Sequence, residues 1–262
     1  MKFNMDNIFS PMFPYLEKKH LSSKYKIFCF SHAGGSASRF LPWMKQMKNI
    51  TVIPIELPGK NTRMKEELPT DLWEVVDDVA RNIVDLVDYQ DKIFIYGHSF
   101  GALLAFYVTY QLENEYGIEI AKLIVAARQS VNVDKKESYN TTMGDEELIK
   151  ELEEYGGTPE LFWQSRELQK IYLPIIKSDY KLNEQHVYHD EHINASILAH
   201  IGNQDRDITI ADIKCWNDVT KGNFEYEVFE GNHFFPFKTS SSYYLSLETK
   251  LYSTEGGTKG EH

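Results

Sequence analysis

The chain has 262 residues, with 28 basic and 39 acidic side chains for a formal net charge of −11. Hydrophobic residues at 42%, aromatics at 13% and charged residues at 26% exclude a disordered, collagen-like or coiled-coil chain. The negative balance removes the whole-surface drive for nucleic-acid binding, and two cysteines, Cys29 and Cys215, exclude a disulfide scaffold.

Met1–Phe13 holds no continuous apolar stretch, and no run reaches the ~18 apolar residues of a membrane span. The expectation is a cytoplasmic chain with neither secretory signal nor membrane partner. The first strong element is an apolar strand, Tyr25–Phe30, followed by a small-residue loop, Ser31–Ser36. Ile50–Ile55 reads as a second strand, ended by Pro58 and Gly59. Asp71–Val87 reads as an amphipathic helix. Leu72, Val75, Val76, Val79, Ile83 and Leu86 fall on one face, and Asp71 and Glu74 suit its first turn. Lys92–Tyr96, Ile120–Ala127, Ser196–Ile201 and Phe224–Phe229 are further strands, and Ala102–Tyr116 is a strongly apolar helix. The strands read as apolar through their length and several are separated by helices. That is the pattern of a parallel sheet covered on both faces.

Residues from about 131 to 191 break this rhythm. An acidic helix is expected over Gly144–Tyr155, a second from Glu160 and a third after Pro174. Such an insert would lie over the carboxyl edge of the sheet, as a lid where open α/β sheets bind ligands. The expected organisation is one α/β domain over residues 1–252 with a mostly parallel central sheet, flanking helices and this insert. A disordered tail is expected at 253–262.

The sharpest local signal is Tyr96-Gly97-His98-Ser99-Phe100-Gly101, a G-x-S-x-G pattern between an apolar strand and an apolar helix. That context places Ser99 at the apex of a sharp turn as a candidate nucleophile. A serine nucleophile needs a base, and His233 follows the Phe224–Phe229 strand. Of the nine histidines, His98 should point away from the turn, His32 lies in the glycine loop, and His186, His189 and His192 fall in the insert without a zinc-protease spacing. The base needs an acid to fix its tautomer. Asp205 follows the Ser196–Ile201 strand, with Asp207 as rival and Asp212 as a weaker one. The order Ser99, Asp205, His233 is that of the α/β-hydrolase fold. The backbone N–H groups of Phe100 and Ala33 are the candidate oxyanion donors. This chemistry calls for no metal and no organic cofactor.

The chain resembles the type II, stand-alone editing thioesterases that accompany nonribosomal peptide and polyketide synthases. The matching stretches are Phe30–Ala37, Pro54–Arg63, Tyr96–Ala102, Gly202–Asp205, Asp212–Trp216 and Phe229–Phe235, spread over about residues 20–250. The resemblance places the catalytic serine, acid and histidine on Ser99, Asp205 and His233, and the oxyanion amides on Ala33 and Phe100. It implies hydrolysis of acyl groups from the phosphopantetheine arm of a carrier protein, the cofactor belonging to that partner, and it makes the insert a mobile lid. Two positions depart from the family's pattern: Ala126-Ala127-Arg128 stands where Ser-Gly-Arg is common, and Asn232 replaces a glycine. Carrier domains are commonly acidic where they dock, so a local basic patch from Arg39, Lys60, Arg63 and Lys65 is the expected offset to the net charge. The same trio would also serve a free-standing carboxylesterase or lipase, or an acyltransferase. A monomer is expected.

Overall fold

A computed structural model describes residues 10–134, 140–158, 160–238 and 242–253. Six parallel strands form one sheet: β1 (Tyr25–Phe30), β2 (Thr51–Pro54), β3 (Lys92–His98), β4 (Lys122–Ala126), β5 (Ser196–Gly202) and β6 (Phe224–Phe229). Their order is β2-β1-β3-β4-β5-β6. The chain leaves β1 toward β2 and then returns to place β3 on the other side of β1. This reversal opens a crevice at the carboxyl ends of β1 and β3.

The apolar strands bury both faces because alternate residues point opposite ways. Phe28 and Phe30 of β1, with Ile93 and Ile95 of β3, pack under the helices α3 (Leu72–Val84) and α4 (Phe100–Asn114). Ile27, Cys29, Phe94 and Tyr96 face the other way, onto Phe40, onto Trp43 of α2 (Leu41–Gln46), and onto Tyr243 and Leu247 of α9 (Ser242–Ser253). A short helix, α1 (Lys18–Leu21), precedes β1. The fold is α/β with helices on both faces of a parallel sheet, the architecture of α/β-hydrolases.

Three helices lie between β4 and β5: α5 (Asp145–Tyr155), α6 (Glu160–Gln164) and α7 (Arg166–Glu184). Leu148, Phe162, Leu173 and Ile176 give this insert a small core of its own. Segments 69–72 anchor its last helix: Ser178 Oγ donates to Pro69 O at 2.9 Å, and Gln185 Nε2 to Thr70 O at 2.7 Å. A last short helix, α8 (Ile210–Lys214), precedes β6.

Three sequence expectations need correction. The third insert helix does not start after Pro174 but contains it; Ser165 caps the helix, its Oγ accepting from Leu168 N at 3.2 Å. Proline removes one ladder bond, and packing of the apolar face outweighs that loss. His186, His189 and His192 lie beyond the end of α7, in the connection to β5, rather than in the insert helices. Strand β6 is not apolar throughout. It is one of the two edge strands, with Glu225 and Tyr226 exposed and Lys250 of α9 bound to Glu225 and Glu227. Among the described residues, no helix is long and apolar enough to cross a membrane. The tail expected at 253–262 lies outside the described residues from 254 onward.

Candidate active site

The turn after β3 is dictated by its glycines. A Cβ on Gly97 would lie 2.2 Å from Gly101 O, and one on Gly101 would lie 2.5 Å from the carbonyl oxygens of both Phe30 and Ser31. The turn is therefore pressed against its own helix and against β1. Ser99 takes φ 55°, ψ −120°, a strained conformation for a residue with a side chain. Its N–H is held by Ala126 O at 2.8 Å, at the end of β4. Ser99 thus stands half-buried at the amino end of α4.

The loops after β5 and β6 are stitched together. Gln204 N donates to Gly231 O at 2.9 Å and Gly231 N to Asn203 Oδ1 at 3.0 Å. This brings Asp205 Oδ2 to 2.9 Å from His233 Nδ1, with the carboxylate fully buried. A carboxylate only accepts, so Nδ1 carries the proton. His98, buried beneath, donates from Nε2 to His233 O at 2.8 Å. Burial pushes His98 well below the usual histidine range, so it is neutral and serves as a strut. The ring of Tyr155, on α5, lies 5.0 Å from the His233 ring.

The rival acids have other partners. Asp207 accepts from Arg206 Nε at 3.3 Å. Asp212 closes the capping box of α8 with the N-cap Thr209, accepting from Thr209 N at 2.9 Å. Asn232, in place of glycine, turns its Oδ1 onto Phe234 N at 3.2 Å. Ala127 takes a positive φ of 52° where a glycine would be unstrained, and its N–H is held by His200 O at 2.9 Å.

Ser99, Phe100, His233 and Ala33 line one cavity of about 80 Å³, to which Tyr155 and Asp179 also contribute. Ala33 further lines a pocket of about 400 Å³ between the glycine loop and the insert, walled by Leu152, Leu161, Phe162, Leu168, Tyr172 and Ile176. The first space suits a reacting carbonyl and the second an apolar chain. A serine, a carboxylate-oriented histidine and the residues bearing the two candidate amide donors thus line one cavity, and groups of these kinds are the equipment for acyl transfer.

Of the expected basic patch, Lys60 is withdrawn by burial, Arg39 and Arg63 are half-buried, and Lys65 is exposed. Lys60 is 4% exposed, with Nζ 2.6 Å from Asp179 Oδ2. Arg63 is taken by Glu66 and by Glu56 O, and Arg39 lies over the Phe237 ring. The sequence reading also missed Asp179, Tyr155 and Arg206. Arg206 carries the Asp205 loop to α5 through Glu151 at 3.1 Å, through Glu154 and through the Tyr155 ring. The signal for Asp179 was present: it is the carboxylate in an apolar helical stripe with Ile175, Ile176 and Leu182.

A family model described as "Thioesterase domain" matches residues 25–245. The gramicidin S biosynthesis protein GrsT of Aneurinibacillus migulanus is 31% identical over 221 residues, covering 83% of this chain and 85% of its own. The linear gramicidin dehydrogenase LgrE of Brevibacillus parabrevis is 29% identical over 239 residues, covering 89% and 90%. Among solved structures, the type II thioesterase BorB from the borrelidin biosynthetic cluster superposes with a TM-score of 0.78 at 27% identity, covering 88% of this chain and 94% of BorB.

Proposed function

The chain belongs to the thioesterase domain family, and from that premise we propose that it is a stand-alone serine thioesterase. It hydrolyses acyl or aminoacyl groups from the phosphopantetheine arm of carrier proteins in nonribosomal peptide or polyketide synthesis. The observation that carries this reading is the gathering of Ser99, at a positive-φ turn, with the Asp205–His233 pair around one small cavity. The apolar pocket alongside suits an acyl chain. The similarity to GrsT, named for gramicidin S biosynthesis, and to BorB, a type II thioesterase of the borrelidin biosynthetic cluster, supports this reading. The name of LgrE does not carry over: Ser31–Ser36 lacks the glycine spacing of a dinucleotide loop.

His233, oriented by Asp205, accepts the Ser99 proton through Nε2 as Oγ attacks the thioester carbon. The Ala33 and Phe100 N–H groups hold the oxyanion. The carbon–sulfur bond breaks, the thiol leaves with the proton from His233, and an acyl-serine remains. His233 then takes a proton from water, the hydroxide adds, and collapse releases the acid and returns the proton to Ser99.

The test is intact-mass measurement of acyl-loaded carrier proteins, beside matched acyl-pantetheine thioesters and oxygen esters. Release from carrier should be rapid and should fall by at least ~10⁴-fold in Ser99→Ala. Ser99-dependent cleavage confined to free oxygen esters would keep the trio and replace the partner, making the chain a free esterase.

A further inference from the structure

Asp179 lies on the buried face of α7 and is 1% exposed. Its Oδ2 accepts the N–H of Gly34 at 2.6 Å and lies 2.6 Å from Lys60 Nζ. Three distant segments, the loop after β1, the loop after β2 and the last insert helix, thus converge on one carboxylate oxygen. The bond to Gly34 fixes the Ala33–Gly34 peptide plane, one unit along from the N–H of Ala33. Gly34 is itself pressed onto the helix: it has φ +73°, and a Cβ there would meet Ile176 Cγ1 at 2.5 Å.

The pair is an expensive way to fill space. Burial pushes the Asp179 carboxyl above its usual range, and Lys60 with the Gly34 amide pulls it back. Buried ion pairs are often no more stabilising than well-packed apolar residues, whereas removing one partner is strongly destabilising. What this pair contributes is geometry, and its location says which. Asp179 and Ala33 line the same cavity as Ser99 and His233.

Resting on the roles given above to Ser99 and Ala33, we infer that Asp179, with Lys60 as its counter-ion, is a positioning residue for the oxyanion loop. With α7 seated, Asp179 holds the Ala33 N–H in line with Ser99, so that a helix of the insert completes the site for the chemical step as well as covering it. Lys60 has a second task. An uncompensated carboxylate in this cavity would oppose the charge that develops on the substrate oxygen.

The test uses the full chain and an acyl-pantetheine thioester, which needs no carrier docking. Asp179→Ala should lower kcat by about a hundredfold with little change in KM, the effect of a misplaced group rather than lost binding. Inhibition by an alkyl boronic acid, whose tetrahedral serine adduct places an oxygen at the oxyanion donors, should weaken in parallel. The double variant Lys60→Met/Asp179→Asn keeps an acceptor for Gly34 without charges, and should recover most of the lost kcat. A kcat within about twofold of wild type in Asp179→Ala, or a lost kcat with unchanged boronate inhibition, would overturn the inference. Should Asp179→Ala not fold, Lys60→Met decides: it should be at least about tenfold slower than the double variant, and equal rates would sink the idea. Absence of Ser99-dependent turnover in the wild type would remove the site assignment as well. Turnover that depends on Ser99 but is indifferent to Asp179 overturns this inference alone.

Discussion

The backbone at Ser99 is held in an unfavourable region by neighbours that leave it no alternative. Gly97 and Gly101 let two stretches of main chain approach within the space a methyl group would need. Gly101→Ala would set a Cβ against two carbonyl oxygens of β1 and its loop, neither of which can swing aside as a side chain would. It should cost about 3 kcal/mol or more of stability, read from the urea midpoint. These residue-level features were unevenly legible. Ser99 could be named because it sits in a G-x-S-x-G pattern after an apolar strand, and His233 because it follows the last strand closely, at a carboxyl end. Asp205 and Asp207 share one loop two residues apart, so sequence left them in competition. Only the tertiary arrangement shows which of them His233 meets, namely Asp205. The partnership of Asp179 with Gly34 spans 145 positions, and no local pattern announces it.

Elements follow the periodicity where packing and capping agree. Helix α3 begins at Asp71, whose Oδ1 accepts from Trp73 N at 2.8 Å and Glu74 N at 3.0 Å. Asp71→Ala should cost about 1 kcal/mol in urea unfolding and leave kcat unchanged, since the cap lies away from the reacting groups. Helix α7 shows where the pattern misleads. Proline is the strongest local stop signal, yet Leu173, Ile175 and Ile176 are buried on both sides of the ring and carry the helix through it. Strand β6 shows the converse. Its alternating glutamates were visible, and they mark an edge, where one flank has no neighbouring strand to exclude water.

For the molecule as a whole, buried neutral histidines couple stability to pH. His200, 1% exposed, is pushed down to about 3 by burial and by Lys250 and Lys122; its Nδ1 lies 2.7 Å from Tyr243 OH. His98 is shifted in the same direction. The unfolded chain binds these protons near the ordinary value of 6.5 and the folded chain does not. Stability is therefore full above that value and is lost as pH falls toward 3. Between about pH 7 and about pH 5 His200 alone accounts for about 2 kcal/mol, so His200→Gln should flatten the pH dependence of the unfolding free energy, measured by urea titration, by that amount. The raised carboxyls of Asp179 and Glu56 act oppositely, losing stability as pH rises above the usual carboxylate range. The parallel sheet has one more consequence. Every strand pairs with a neighbour reached by a crossover, so contacts are distant in sequence and formation is slow. Ser99 follows β3 near the centre, whereas His233 follows β6, which pairs only with β5 at the rim. On a growing or refolding chain the central body can assemble with the serine in place and still be inert. Activity then reports the docking of the outermost strand rather than the formation of the core.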